Sequence, residues 1–266
     1  MPYALVDDAE IYWESRGEGK PLFTISGVSG GTWSYEESIA AWSPYYRVLV
    51  CDNIGAGLSS KPDRPYTMAQ MADYAAAVMD AAQVKEAYVV GLSMGGMIAQ
   101  EIALRHPARV SALVLGCTHC GGSERIPPNP KVIQLFADNK GLSPEEIVDK
   151  NLKLLVTPEF LQRGSESLQR YRERQLKAPW QPDYALQRQL EAIRGFDTCD
   201  RLAQIKTPTL ILTADDDLLV PPENGRILAN RIPGAELEEY TGGHLIYLES
   251  AEVFQQRVLR FFQGLA

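Results

Sequence analysis

The sequence lacks the features that would carry it to a membrane or to nucleic acid. No uninterrupted apolar run is long enough to span a bilayer. The start Met1-Pro2-Tyr3-Ala4 has neither the charged nor the apolar region of a secretory signal. No run of lysine or arginine stands out. With 26 basic against 34 acidic residues the formal charge is −8, the wrong sign for nucleic acid or anionic lipid as main partner. Four cysteines in 266 residues do not make a disulfide framework, so a reduced, cytoplasmic protein is expected. Cys117-x-x-Cys120, with His119 between, has no second pair at ligand spacing. No metal site is therefore expected, and Cys117 reads as the end of a buried strand. Histidine is scarcer still: three residues bound the search for a general base.

What is present is an ordinary globular composition, 45% hydrophobic and 23% charged, in a chain long enough for one large domain with an insertion. Short strands are expected at Tyr3 to Val6 and Ile11 to Trp13, and buried ones at Leu22 to Ser26, Val48 to Cys51, Ala87 to Gly91 and Val110 to Gly116. Helices alternate with them. Ser34-x-x-Glu37 and Thr67-x-x-Gln70 are capping-box patterns that open helices to Trp42 and Ala82. The alternation breaks at about Thr118. From Gly121 to Asp200 the pattern is helical only, with segments expected at 131–139, 144–155, 158–177 and 182–194 and proline at several starts. It resumes with strands at Thr209 to Thr213 and Ala235 to Tyr240 and helices at 222–231 and 251–263. Apolar strands separated by amphipathic helices imply a mostly parallel sheet covered on both faces. The reading is an α/β core over residues 1–118 and 201–266, with residues 119–200 as a helical cap over the carboxyl ends of the strands, where such sheets bind ligands.

The chemistry starts at Val89-Val90-Gly91-Leu92-Ser93-Met94-Gly95-Gly96. A strand passes into a helix through one tight turn, and Gly91-x-Ser93-x-Gly95 puts a serine in it. The hydroxyl is then held above the sheet in a strained backbone, with the Met94 N–H at a helix N-terminus beside it. A glycine-rich turn without chemistry, or a phosphate loop, would share the glycines; the strand before and the helix after favour a nucleophile.

A serine hydroxyl needs a base. His106 sits at a helix C-terminus, where a surface or capping role fits. His119 follows a strand on the correct edge and is placed to line a pocket. His244, in Gly242-Gly243-His244-Leu245, follows the last strand. Upstream lies Thr209 to Ala214, a buried strand that ends in Asp215-Asp216-Asp217. A triad needs one carboxylate at a strand end to orient the base, and serine, acid, histidine is the chain order of one known fold.

On Gly91-Leu92-Ser93-Met94-Gly95-Gly96, Asp217-x-x-Val220-Pro221 and Gly243-His244, the chain resembles the α/β-hydrolases of the capped esterase, lactonase and haloperoxidase-like group, 3-oxoadipate enol-lactonases among them. The resemblance covers essentially the whole length and implies an eight-stranded sheet. It implies Ser93, Asp217 and His244 as triad, with Asp216 the second choice of acid. Backbone N–H groups of Val28 and Met94 would form the oxyanion hole. Two positions depart from the pattern: Ser26 replaces the histidine of the loop after the third strand, and Ile54 replaces arginine in Asp52-x-x-Gly55-x-Gly57-x-Ser59. Trp33, His119, Trp180 and Leu245 are expected to line the pocket. Arg163 to Arg174 reads as a solvated helix face; turned inward, those arginines would suit an acidic substrate. The implied activity is hydrolysis of a carboxylic ester or lactone, of small to medium size and partly apolar, without cofactor, in a monomer or homodimer. The alternatives are a C–C bond hydrolase using the same triad, and a ligand-binding receptor with little turnover.

Overall fold

The computed structural model describes residues 2–265. The chain runs β1 (Tyr3–Val6), β2 (Ala9–Arg16), β3 (Pro21–Ile25), α1 (Glu36–Trp42), β4 (Arg47–Cys51), α2 (Met68–Ala81), β5 (Ala87–Leu92), α3 (Met94–Arg105) and β6 (Val110–Gly116). Five helices follow without a strand: α4 (Pro130–Ala137), α5 (Pro144–Leu155), α6 (Pro158–Arg163), α7 (Glu166–Lys177) and α8 (Asp183–Arg194). The chain ends with β7 (Thr209–Ala214), α9 (Glu223–Arg231), β8 (Glu236–Tyr240), α10 (Ile246–Glu249) and α11 (Ala251–Gln263).

The eight strands form one sheet in the order β1-β2-β4-β3-β5-β6-β7-β8. Only β1–β2 and β2–β4 pair antiparallel; every pairing from β4 to β8 is parallel. Buried clusters lie on both faces, as a parallel sheet requires. All six residues of β5 and all six of β7 are buried. The edge strand β8, Glu-Leu-Glu-Glu-Tyr, is largely exposed and charged, which keeps the open edge from pairing with another chain. From β3 the chain steps to β4 on one side and then to β5 on the other. The crevice beyond the carboxyl ends of β3 and β5 is thus the switch point where such sheets bind ligands.

Local signals act at most helix starts. Thr67 and Gln70 form a reciprocal capping box on α2, as do Ser143 and Glu146 on α5. Two expectations are corrected. Ser34 does not open a helix; it lies in a 3-10 turn, Thr32–Tyr35, where its Oγ accepts from the Gly31 N–H at 3.1 Å, and α1 starts after it. The segment 158–177 is two helices, because Gly164 turns left-handed (φ 55°) and Ser165 caps α7.

The cysteines also differ from expectation. Cys120 and Cys199 are joined as a disulfide, leaving Cys51 and Cys117 free and buried. They are 79 residues apart in sequence, which is why spacing hid them. They meet because the chain leaves β6 and returns towards β7 through one neck, where Gly121 bridges Asp197 and the Thr198 N–H donates to the Cys120 carbonyl at 2.8 Å. The cysteines therefore lend no support to the reduced, cytoplasmic reading. No described helix is long and apolar enough to cross a membrane. Alkylation of the denatured protein should label two cysteines without reductant and four with it; four labels without reductant would refute the bond. Reduction should lower stability to urea by about 2–4 kcal/mol.

Candidate active site

The turn at Ser93 is built by close packing of backbone. A Cβ at Gly95 would lie 2.0 Å from the Ile25 carbonyl oxygen, and one at Gly91 would lie 2.3 Å from the Gly95 carbonyl oxygen. Only glycine permits the end of β3, the end of β5 and the first turn of α3 to approach this way. The reversal falls on Ser93, at φ 56°, ψ −125°, a conformation that costs an L residue on the order of 1–3 kcal/mol. The Ser93 N–H donates to the Gly116 carbonyl at 2.8 Å, and Thr118 Oγ1 donates to the Ser93 carbonyl at 2.8 Å. The strain is thereby held between two strands.

Of the three aspartates after β7, two are exposed and one is buried. Asp217 has one oxygen receiving the N–H groups of Leu219 and Val220, both at 2.8 Å. Its other oxygen lies 2.7 Å from His244 Nδ1. Asp215 instead accepts the Gly242 N–H at 2.9 Å and shapes the loop that carries the histidine. Cys117 packs beside Asp217, and burial together with that carboxylate pushes its thiol well above the usual range. Ligand-type atoms of Cys117, Asp217 and His244 lie within 4.8 Å of one another, but the Nδ1–Oδ2 contact is hydrogen-bond length and leaves no room for an ion between them. The cysteine read as a mere strand end is thus a neighbour of the acid.

Ser93 and His244 both line a cavity of about 340 Å³ beneath the helical insert. Trp33, His119 and Leu245 line it too. Trp180 does not: half exposed, it borders a smaller adjoining pocket beside Gln181 and Pro179, since it falls in the turn between α7 and α8. His106, on the far side, meets Asp73 at 2.8 Å. Arg163, Arg170, Arg172 and Arg174 pair with Glu159, Glu37 and Glu166, Asp149 and Glu37 respectively, an ion-paired cluster that is solvated at Arg163 and Arg170 and largely buried at Arg174.

His119 is neutral by construction. The Gly121 N–H donates to its Nδ1 at 3.0 Å, which leaves the ring proton on Nε2. Burial, with Arg125 nearby, pushes its pKa down to about 3.

The loop after β3 is held from several directions. Ser26 donates through Oγ to the Gly31 carbonyl at 3.1 Å, and its own carbonyl accepts from Asn53 Nδ2 at 2.8 Å. Ile54 is buried, and its carbonyl accepts from Gln189 Nε2 at 2.9 Å, while Gln189 Oε1 accepts the Ser29 N–H at 3.0 Å. Gln181 spans the same gap, donating to the Gly55 carbonyl at 2.8 Å and bonding Ser29 Oγ. With isoleucine at position 54, insert glutamines tie the two loops together. Sequence reading missed Gln181 and Gln189, for which the only signal was a polar residue on an amphipathic face. The Val28 N–H makes no hydrogen bond among the described residues, and Met94 N–H, at the first position of α3, has no intrahelical partner.

On the other side, Glu249 receives the Gly243 N–H at 2.6 Å and the Thr157 N–H at 3.1 Å, so one carboxylate joins the His244 loop to the insert.

A parallel sheet with a serine at the turn after its fifth strand defines an α/β hydrolase, and the sequence matches that fold family over residues 20–251. The chain belongs to the α/β hydrolase fold family and is a hydrolase. It is 32% identical to a putative carbamate hydrolase, RutD, of Azorhizobium caulinodans over 98% of both chains. It is 31% identical to a poly(3-hydroxyalkanoate) depolymerase of Ectopseudomonas oleovorans, over 91% of this chain and 84% of that one. Among solved structures, the enol-lactonase of Burkholderia xenovorans superposes with a TM-score of 0.85 at 26% identity, over 98% of this chain and all of the other (100%).

Two outcomes check this description. Gln189→Leu removes a donor from the buried Ile54 carbonyl and the acceptor of the half-buried Ser29 N–H, and should cost about 1–3 kcal/mol in urea unfolding. His119 takes up its proton on unfolding, so the unfolded chain binds more protons between its ordinary pKa and about 3. Stability should therefore fall as pH drops through that window, and His119→Gln should flatten the dependence of Tm on pH there.

Proposed function

We propose that the protein hydrolyses a carboxylic ester or lactone through an acyl-enzyme on Ser93. The observation that carries this reading is the 2.7 Å contact of His244 Nδ1 with buried Asp217, at the wall of a cavity that Ser93 also lines. With Nδ1–H donated to the carboxylate, the imidazole presents its free Nε2 as base. It takes the Ser93 proton as Oγ attacks the acyl carbon, and returns it to the leaving oxygen as that bond breaks. Water, deprotonated by the same nitrogen, then cleaves the acyl-serine and restores the hydroxyl. The negative oxygen of each tetrahedral intermediate is received by the N–H groups of Val28 and Met94. Asp217 holds the ring and offsets the imidazolium charge without itself taking the proton.

The helical insert, residues 119–200 in this reading, acts as a lid that roofs the cavity and excludes water from it. Apolar walls such as Trp33, Phe136 and Leu155 suit a partly apolar acyl or alcohol group. Three relatives support hydrolysis at an acyl carbon by the activity in their names: an enol-lactonase, a poly(3-hydroxyalkanoate) depolymerase and a putative carbamate hydrolase.

Turnover of 4-nitrophenyl esters should fall by about 10⁴-fold or more in Ser93→Ala. A mass increment equal to the acyl group should appear on the Ser93 peptide of rapidly quenched wild-type protein. Asp217→Asn should depress kcat by about 10³–10⁴-fold, while Asp216→Asn, exposed and outside the cavity, should stay within about twofold. Unimpaired hydrolysis in Ser93→Ala would end this reading.

A further inference from the structure

The charge of the cavity wall runs against the charge of the protein. The chain carries eight more acids than bases, yet no aspartate or glutamate lines the cavity, while Arg125 and Arg194 do. Most arginines of this protein close an ion pair, including all four of the cluster from Arg163 to Arg174. Arg125 and Arg194 make none, and no side-chain hydrogen bond either, among the described residues; Arg47 and Arg260 share this, but only Arg125 and Arg194 border the cavity. The acids next to them in sequence are engaged elsewhere: Glu124 with Arg231, and Glu191 with Arg188 at 2.7 Å. A guanidinium in an acidic protein ordinarily finds a carboxylate. Arg125 is half-buried and Arg194, at the end of α8, is exposed; both border the cavity without a carboxylate of the protein, and are free to receive one from outside.

The same wall holds a third donor. His119 carries its proton on Nε2, because Nδ1 accepts from Gly121, and Nε2 has no partner among the described residues. It is a fixed, uncharged donor in the wall of the cavity that the two arginines also line.

We propose that the substrate of this site is an ester or lactone bearing a free carboxylate, which Arg125 and Arg194 receive, with the His119 Nε2–H as an additional donor. A guanidinium matches a carboxylate through paired N–H groups, and charge-assisted hydrogen bonds of this kind are the strong ones. The apolar walls take the carbon skeleton, and the two positive groups also draw the anion towards an otherwise acidic surface. This inference rests on the ester-hydrolase reading for its reaction, but its recognition element stands apart from Ser93.

The test compares two acyl donors of the same skeleton, the 4-nitrophenyl monoester of glutaric acid and its methyl-capped neutral counterpart. The wild-type ratio of kcat/KM, anionic over neutral, should exceed that of Arg125→Gln and of Arg194→Gln by about tenfold each, chiefly through KM, the order of one charge-assisted hydrogen bond. Arginine-to-lysine variants should keep part of the preference, and Arg260→Gln, on α11 and outside the cavity, should leave the ratio as it is. In parallel, Ser93→Ala is titrated calorimetrically with monomethyl glutarate and with dimethyl glutarate; the anion should bind more tightly. Hydrolysis that proceeds with the same ratio in wild type and both glutamine variants overturns the carboxylate assignment and leaves the ester-hydrolase reading standing. Failure of the wild-type protein to hydrolyse either donor, with the anion still preferred in the titration, defeats the ester-hydrolase reading and sustains the carboxylate assignment. Equal binding of both probes by Ser93→Ala defeats it.

Discussion

The site depends on how closely three backbones approach one another at the carboxyl edge of the sheet. The carbonyl of Ile25, the strand end at Gly91 and the first turn of α3 at Gly95 are in contact with no space for side chains between them. That contact leaves the chain one residue in which to turn from strand to helix, and the residue is Ser93. The strained dihedral angles are the local cost, offset by hydrogen bonds from the neighbouring strand β6 and from Thr118. The crevice between β3 and β5, with an exposed hydroxyl on one side and the Gly27–Gly31 loop on the other, follows from the same packing. A parallel order with its switch point here is what brings residues 26, 93, 217 and 244 to one edge although they are spread over most of the chain.

The insert between β6 and β7 does more than border the cavity. It reaches down at two points, through Gln181 and Gln189 to the loops after β3 and β4, and through Thr157 to Glu249 beside the histidine loop. Leu155, at the end of α5, also takes the Leu245 N–H at 3.0 Å. The neck is closed by the Cys120–Cys199 bond, so the insert is anchored where it leaves the sheet as well as where it meets the loops.

Much of this was legible in the sequence, because the relevant signals are local. Alternation of apolar strands with amphipathic helices marks the sheet; Gly91-x-Ser93-x-Gly95 marks the turn; Thr67 with Gln70 and Ser143 with Glu146 mark helix starts. Chain order and position after a strand pointed to one of Asp215, Asp216 and Asp217 as partner of His244; the resemblance carried by Asp217-x-x-Val220-Pro221 implied Asp217. The rest depends on neighbours far away in the chain. Ser34 looked like a cap but is held by Gly31 in a 3-10 turn. Gly164 breaks a helix that an amphipathic pattern carries straight through. Cys120 and Cys199 carry no spacing signal across 79 residues. Trp180 is aromatic and lies in the insert, which says nothing of which side of a turn it faces. Arg125 and Arg194 look like any other arginine until the ion pairs of their neighbours are known, whereas the denser cluster from Arg163 to Arg174 drew notice and proved to be ion-paired.

The double role of the insert limits how this protein can diverge. A free exchange of the helices between β6 and β7 would require that they share no bonds with the strand-end loops. Here a foreign insert would arrive without Gln181, Gln189 or Thr157. It would leave Ser29 N–H without its partner, the Ile54 carbonyl with only the Tyr66 hydroxyl, and Glu249 with only Gly243. Substitutions within this insert can keep those contacts, whereas its replacement removes them from both loops flanking the serine.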